Sequence, residues 1–171
     1  MRLNKALNKF AKDVIKQSRT RLTKQKINAS KDLYNSLDYK LKISPNSFEL
    51  SFSMEDYGKF INDGVKGAEE DRTKKPKLRL GNKKFEYKDK KPPARVFDKW
   101  QVKKGIAPRN SGGQFVSRTG LNYAIATSVF KRGIKTTEFF TIPFEQQFKK
   151  LPNEIAEAYG LDLVQLLRNT I

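Results

Sequence analysis

The chain of 171 residues contains no cysteine and no histidine. Their absence excludes disulfides, thiolate or imidazole metal ligands, nucleophilic triads built on histidine, and the side chain that ordinarily exchanges a proton near neutral pH. Long apolar runs are missing as well. Lysine or arginine interrupts the N-terminal stretch every few residues, so neither a signal peptide nor a membrane-spanning helix is expected, and synthesis in the cytosol is. Acidic residues are scarce beside basic ones: 18 Asp/Glu face 36 Lys/Arg, a net charge of +18. Such an imbalance calls for an anionic partner, whether nucleic acid, an acidic protein surface or an anionic membrane face.

What is present points to a folded chain. Aromatic residues make up 11% of the sequence, more than disordered segments use, and the length suits one domain spanning 1–171 with a core of its own. The positive charge is unevenly placed. Residues 1–31 hold ten Lys/Arg against one Asp and residues 66–109 hold sixteen against six acids, whereas residues 32–65 hold three against six. Two segments therefore carry the excess.

The first segment is an amphipathic helix by its spacing. Leu3, Leu7, Phe10 and Val14 recur at helical intervals, Ala6, Ala11, Ile15, Ser18 and Leu22 broaden the stripe, and the opposite face is almost purely basic. Ser30 is placed to cap a short second helix, KDLYNSL. The period then changes to two. Tyr39, Leu41 and Ile43, a turn through Pro45 and Asn46, and Phe48, Leu50 and Phe52 describe a hairpin with one buried face. MEDYGKFINDG follows as a helical turn closed by Gly64, with Tyr57, Phe60 and Ile61 facing inward.

Residues 66–91 form a basic excursion, a loop or hairpin arm with few apolar anchors. Within 72–91 ten Lys/Arg stand against two acids, and Arg72, Lys74, Lys75, Lys77, Arg79, Lys83 and Lys84 are the residues expected to face a partner or DNA. LRLGNKKFEY is compatible with a second hairpin, and Phe85 and Tyr87 between lysines are candidates for stacking on bases. Beyond Pro92 and Pro93, ARVFDKWQVKKG reads as a helix ended by Gly105. Trp100 lies three and four residues from Phe97 and Val96, which places it on the buried face rather than on an exposed stacking platform. PRNSGGQFVSRTG lacks the ending of a phosphate-binding loop and reads as a flexible connector.

LNYAIATSVFKRG is a helix with Leu121, Ala124, Ile125, Ser128 and Val129 on one stripe and Gly133 as its stop. TTEFFTIP reads as extended, and the C-terminus as helix broken near Pro152, with Phe148, Leu151, Ile155, Tyr159, Leu163, Leu166 and Leu167 along its apolar side. The expected class is α+β: a small antiparallel sheet packed with an N-terminal amphipathic helix and C-terminal helices, plus the basic arm.

Chemistry has little to work with. The adjacent acids Glu69, Glu70 and Asp71, or Glu55 and Asp56, are the carboxylates available for a metal, yet no lysine-supported nuclease spacing accompanies them. No catalytic residue, cofactor site or metal site is expected. No helix-turn-helix, zinc-finger or other recognisable nucleic-acid reader is present either.

The order of the pieces carries a resemblance. The hairpin followed by DYGKFINDGVKG (Tyr57, Phe60, Gly64), then PPARVFDKWQVKKGI (Trp100, Lys104, Gly105, Ile106), then the unit from Ala124 to Phe140 resembles phage neck and tail-completion proteins of the broad connector family. The nearest echoes are versions from phages of Bacteroidales, including the crAss-like group, and the long excursion at 66–91 departs from their pattern. The resemblance implies a non-enzymatic virion protein forming a homo-oligomeric ring between portal and tail. It would contact the portal and neighbouring neck or tail proteins, touch packaged DNA only non-specifically, involve no membrane, and pass through the host cytoplasm during assembly. The alternative is a free basic nucleic-acid-binding protein.

Overall fold

The computed structural model describes residues 2–27, 31–44, 47–68, 84–151, 153 and 155. Its helices are α1 (Arg2–Lys24), α2 (Asp32–Ser36), α3 (Gly58–Asp63), α4 (Asp98–Lys104), α5 (Arg118–Arg132) and α6 (Thr141–Phe148). Its strands are β1 (Asp38–Ser44), β2 (Ser47–Ser53), β3 (Val65–Lys66) and β4 (Gly133–Ile134). The class is α+β, with an N-terminal helix and small two-stranded antiparallel sheets. Two compact units emerge. One draws its described residues from Met1–Ile27, Asp32–Glu55 and Phe139–Ile171, the other from Asn28–Lys31 and Asp56–Glu138.

In the first unit α1 buries the stripe that its spacing requires. Leu7, Phe10, Ala11, Val14, Ile15, Ser18 and Leu22 are buried, while Lys5, Lys9, Lys12 and Lys16 remain exposed. Strands β1 and β2 pair antiparallel with Tyr39 opposite Phe52, Leu41 opposite Leu50 and Ile43 opposite Phe48, so the alternating apolar residues share one face. That face, α1 and α6 meet in a core of Leu7, Phe10, Val14 and Leu151, against which Leu41, Leu50, Phe52, Phe140 and Phe144 pack. Aromatic edges dominate the contact. The Phe10 ring stands T-shaped to Phe52 at 6.3 Å and to Phe144 at 5.8 Å, and Phe52 does the same to Phe140 at 5.3 Å.

Arg19 ties α2 to α1. Its Nε donates to the Tyr34 carbonyl at 2.9 Å and its guanidinium to the Leu37 carbonyl at 3.0 Å, groups that the short helix leaves without intrahelical donors. Tyr39 donates its hydroxyl proton to Asn8 Oδ1 at 2.7 Å, anchoring β1 to α1.

The run TTEFFTIP is not extended throughout, because α6 begins at Thr141 and takes Pro143 into its first turn, buried. A proline costs nothing there, since its missing N–H would have no intrahelical acceptor. Ser30, Pro45, Asn46, Pro152, Tyr159, Leu163, Leu166 and Leu167 lie outside the described residues.

The second unit is organised around backbone contacts. β3 pairs with β4 through Val65 opposite Ile134 and Lys66 opposite Gly133, and a parallel bridge joins Lys66 to Glu86 on its other side. Gly133 ends α5 at φ 79° and ψ −169°, a conformation reserved for glycine. A Cβ there would run into the Val65 carbonyl oxygen. Asn62 is buried, and its carbonyl accepts from the Thr137 and Glu138 amides at 3.2 and 3.0 Å; Thr136 and Thr137 donate their hydroxyls to the Asp63 and Ile61 carbonyls.

Candidate functional site

Of the arm residues singled out by charge, Arg72, Lys74, Lys75, Lys77, Arg79 and Lys83 lie outside the described residues, as do Glu69, Glu70 and Asp71. Lys84 is described, exposed, with its ammonium 5.4 Å from the Phe85 ring centroid. The base of the arm is firmly held. Lys66 N–H donates to the Phe85 carbonyl at 2.8 Å, Tyr87 N–H to the Lys66 carbonyl at 2.9 Å, and Ala68 N–H to the Phe130 carbonyl at 2.8 Å.

Phe85 and Tyr87 are therefore not open stacking platforms. Phe85 packs edge-on to Phe60 at 4.7 Å and Tyr87 against Phe130 at 6.0 Å, both half-buried. Burial pushes the Tyr87 hydroxyl pKa up. Glu86 between them bridges to Lys66, and the two rings alternate with it onto the half-buried side.

Trp100 corrects the expectation of a buried helix face. It is 39% exposed, Val96 is more exposed still, and the position buried on α4 is the polar Gln101. The reason lies one step upstream. Ala94–Phe97 forms a 3-10 turn, so the α-helical interval that would put Val96, Phe97 and Trp100 on one face does not run through it. Gln101 tolerates burial because its amide nitrogen donates to the Asn122 side-chain oxygen, while its Oε1 has no partner among the described residues.

The Asn122 end of that bond lies on the buried face of α5. Asn122 and Ala126 are buried, whereas Ala124 and Ser128, expected on the inner stripe, are exposed. Tyr57, expected inside, is 39% exposed at the start of α3, and Phe60 and Ile61 are half-buried as expected.

The glycines behave as expected. Gly64 closes α3 at φ 75°, and Gly105 closes α4 in the left-handed region at φ 64°. At Gly105 the motif is complete: its N–H donates to the Val102 carbonyl at 3.1 Å and the Ile106 N–H to the Gln101 carbonyl at 3.0 Å, the paired bonds of a Schellman cap.

The glycine-rich stretch is an ordered small hairpin rather than a flexible connector. Arg109 and Phe115 form an antiparallel bridge. The Asn110 N–H donates to the Gln114 carbonyl at 2.9 Å, the Val116 N–H to the Pro108 carbonyl at 2.9 Å, and Asn110 Oδ1 accepts from the Gln114 N–H at 3.0 Å. Arg109 lies over the Phe115 ring at 4.1 Å and donates to the Gly113 carbonyl at 3.0 Å. Phe115 is nevertheless 69% exposed. The sequence signal for this hairpin was the Asn110–Gly113 turn between Arg109 and Phe115, obscured by the glycines' usual association with looseness.

Two surfaces thus have the chemistry to meet an anionic partner. In the first unit a groove between α1, α2 and β1 is lined by Lys12, Lys16, Arg19, Lys24 and Tyr34, with Asp38 as its acid. In the second, α4 and the hairpin present apolar and basic side chains together. Among the described residues no group of three or more Asp/Glu is placed to hold a metal ion, Glu55 and Asp56 being exposed, and no helix is long and apolar enough to cross a membrane. Comparison with protein families, with curated proteins and with solved structures returned no match.

Proposed function

We propose that the protein is a structural component of a phage virion, assembling as a homo-oligomeric ring in the neck or tail between portal and tail. There it joins head to tail and retains or conducts the genome, acting by assembly rather than chemistry. The observation that carries the reading is the order of the motifs around Tyr57–Gly64, Trp100–Ile106 and Ala124–Phe140, which resembles that of the connector family over nearly the whole chain. The glycines in those motifs, Gly64, Gly105 and Gly133, each end a helix at positive φ, so the motif letters fall where the chain changes direction.

Charge supports the reading independently. A ring through which DNA passes needs a lumen that does not repel phosphate, and basic surfaces docked on acidic neighbours make assembly sensitive to salt. The arm residues Arg72, Lys74, Lys75, Lys77, Arg79, Lys83 and Lys84 serve this role, against an acidic flank of the portal or an adjoining ring, or along the channel. The alternative, a free nucleic-acid-binding protein, rests on the same total charge, while Phe85 and Tyr87, its candidate stacking residues, are occupied in packing.

The test is quantitative mass spectrometry of purified phage particles, taking the copy number of this chain relative to the portal subunit. A fixed, integer-like ratio is the expected outcome. Absence from particles would refute the proposal and make salt-dependent DNA binding by the isolated protein the next measurement.

A further inference from the structure

We infer that the second unit carries a docking groove for an acidic peptide segment with apolar anchors, contributed by another protein. The groove runs between the end of α4 and the Arg109–Phe115 hairpin, lined by Val102, Ile106, Phe115, Val116 and Arg118 above Gln101. Its apolar side chains are left in water: Val102 is 58% and Phe115 69% exposed. Apolar groups converging on one concavity and rimmed by charge are the signature of an interaction site rather than of scattered surface residues.

Charge selects the occupant. From Lys99 to Arg118 the chain has five Lys/Arg and no Asp or Glu, so a segment bearing carboxylates beside its apolar anchors is the complementary one.

Nucleic acid fits this groove less well. The lining is mostly aliphatic, and its single ring, Phe115, already has the Arg109 guanidinium over it at 4.1 Å, leaving no series of open rings for bases. The Schellman cap at Gly105 and the bridged hairpin fix both walls, so the groove is formed before any partner arrives. The inference stands on the second unit alone and does not depend on where the protein acts.

The test titrates the full chain into a fluorescein-labelled peptide of alternating Glu and Leu with a central Phe, read by anisotropy. Comparators are the same peptide with Leu and Phe replaced by Ser, a single-stranded DNA oligonucleotide, and vesicles of phosphatidylcholine with phosphatidylserine. The apolar acidic peptide is expected to bind about tenfold or more tightly than its Ser counterpart and to weaken with salt. V102D and F115A, both at exposed positions and checked for an unchanged far-UV spectrum, are each expected to reduce its binding about tenfold. Equal or tighter binding of the Ser peptide, the oligonucleotide or the vesicles would overturn the inference, as would peptide binding that both substitutions leave intact or no peptide binding at all. None of these failures bears on the virion proposal, which is judged by copy number in particles.

Discussion

Replacing Gly133 by alanine should damage the second unit far more than the same change at Gly105, although both glycines end a helix. At Gly105 the backbone is left-handed, φ 64° and ψ 29°, and a Cβ would meet nothing within 4 Å among the described residues. The cost is then conformational alone, about 1–2 kcal/mol. Gly133 sits at φ 79° and ψ −169°, where only glycine is at ease, and that strain alone costs about 1–3 kcal/mol. A methyl group there also strikes the Val65 carbonyl oxygen and comes within 2.6 Å of the Gly67 nitrogen. Those are backbone atoms of β3 and its extension, which cannot rotate away, and overpacking of this kind adds about 1–3 kcal/mol.

G133A should therefore cost roughly 2–6 kcal/mol against about 1–2 for G105A. The assay is equilibrium urea unfolding followed by tryptophan emission, since the single tryptophan, Trp100, lies in the second unit and reports on it. Far-UV dichroism of the same samples shows whether helices are lost in step. Equal midpoints for G105A and G133A would refute the reasoning, because they would mean that β3 yields freely to the added methyl.

In the first unit, F10A removes a ring that is 4% exposed and touches both Phe52 and Phe144, and should cost about 3–5 kcal/mol in a urea titration followed by dichroism. Q101L alone should cost about 1–3 kcal/mol by stranding the Asn122 amide in the interior, whereas Q101L with N122L should recover most of that loss; a double variant no better than the single would show that the polar pair itself stabilises the α4 and α5 packing. The raised pKa of Tyr87 gives alkaline stability a definite sign. The folded chain holds the phenol proton more tightly than the unfolded chain does, so this contribution is whole below the unfolded value of 10.0 and is lost as pH rises through the folded one. Y87F should accordingly move the midpoint of alkaline unfolding to higher pH, monitored by dichroism from neutral pH upward, and an unchanged midpoint would contradict it.

The parts of the fold legible in the sequence were those whose burial follows one regular period. α1 has a wide apolar stripe over six turns, and the alternation in β1 and β2 leaves one register that hides Tyr39, Leu41, Leu50 and Phe52 together. The glycine stops were legible for a similar reason, since helix spacing ending at a glycine has few other meanings. What escaped prediction depended on events outside the local period. A 3-10 turn over Ala94–Phe97 shifted the face of α4, and a polar pair, Gln101 with Asn122, took positions that hydrophobic spacing assigns to Trp100, Ala124 and Ser128. The candidate groove was hidden as well, because the residue beneath it is the polar Gln101 and one wall is a hairpin written in glycine, serine and asparagine.

The bonds at the foot of the basic arm separate its charge from the fold. Chain departs beyond Ala68 and is back in register by Phe85, with Ala68 tied to Phe130 and Phe85 tied to Lys66, so the two ends of the excursion are pinned side by side by main-chain groups. A single cut among residues 69–83 would thus leave both flanks held by main-chain bonds, one to β3 and one to α5, so the pairing of β3 with β4 does not require chain continuity there.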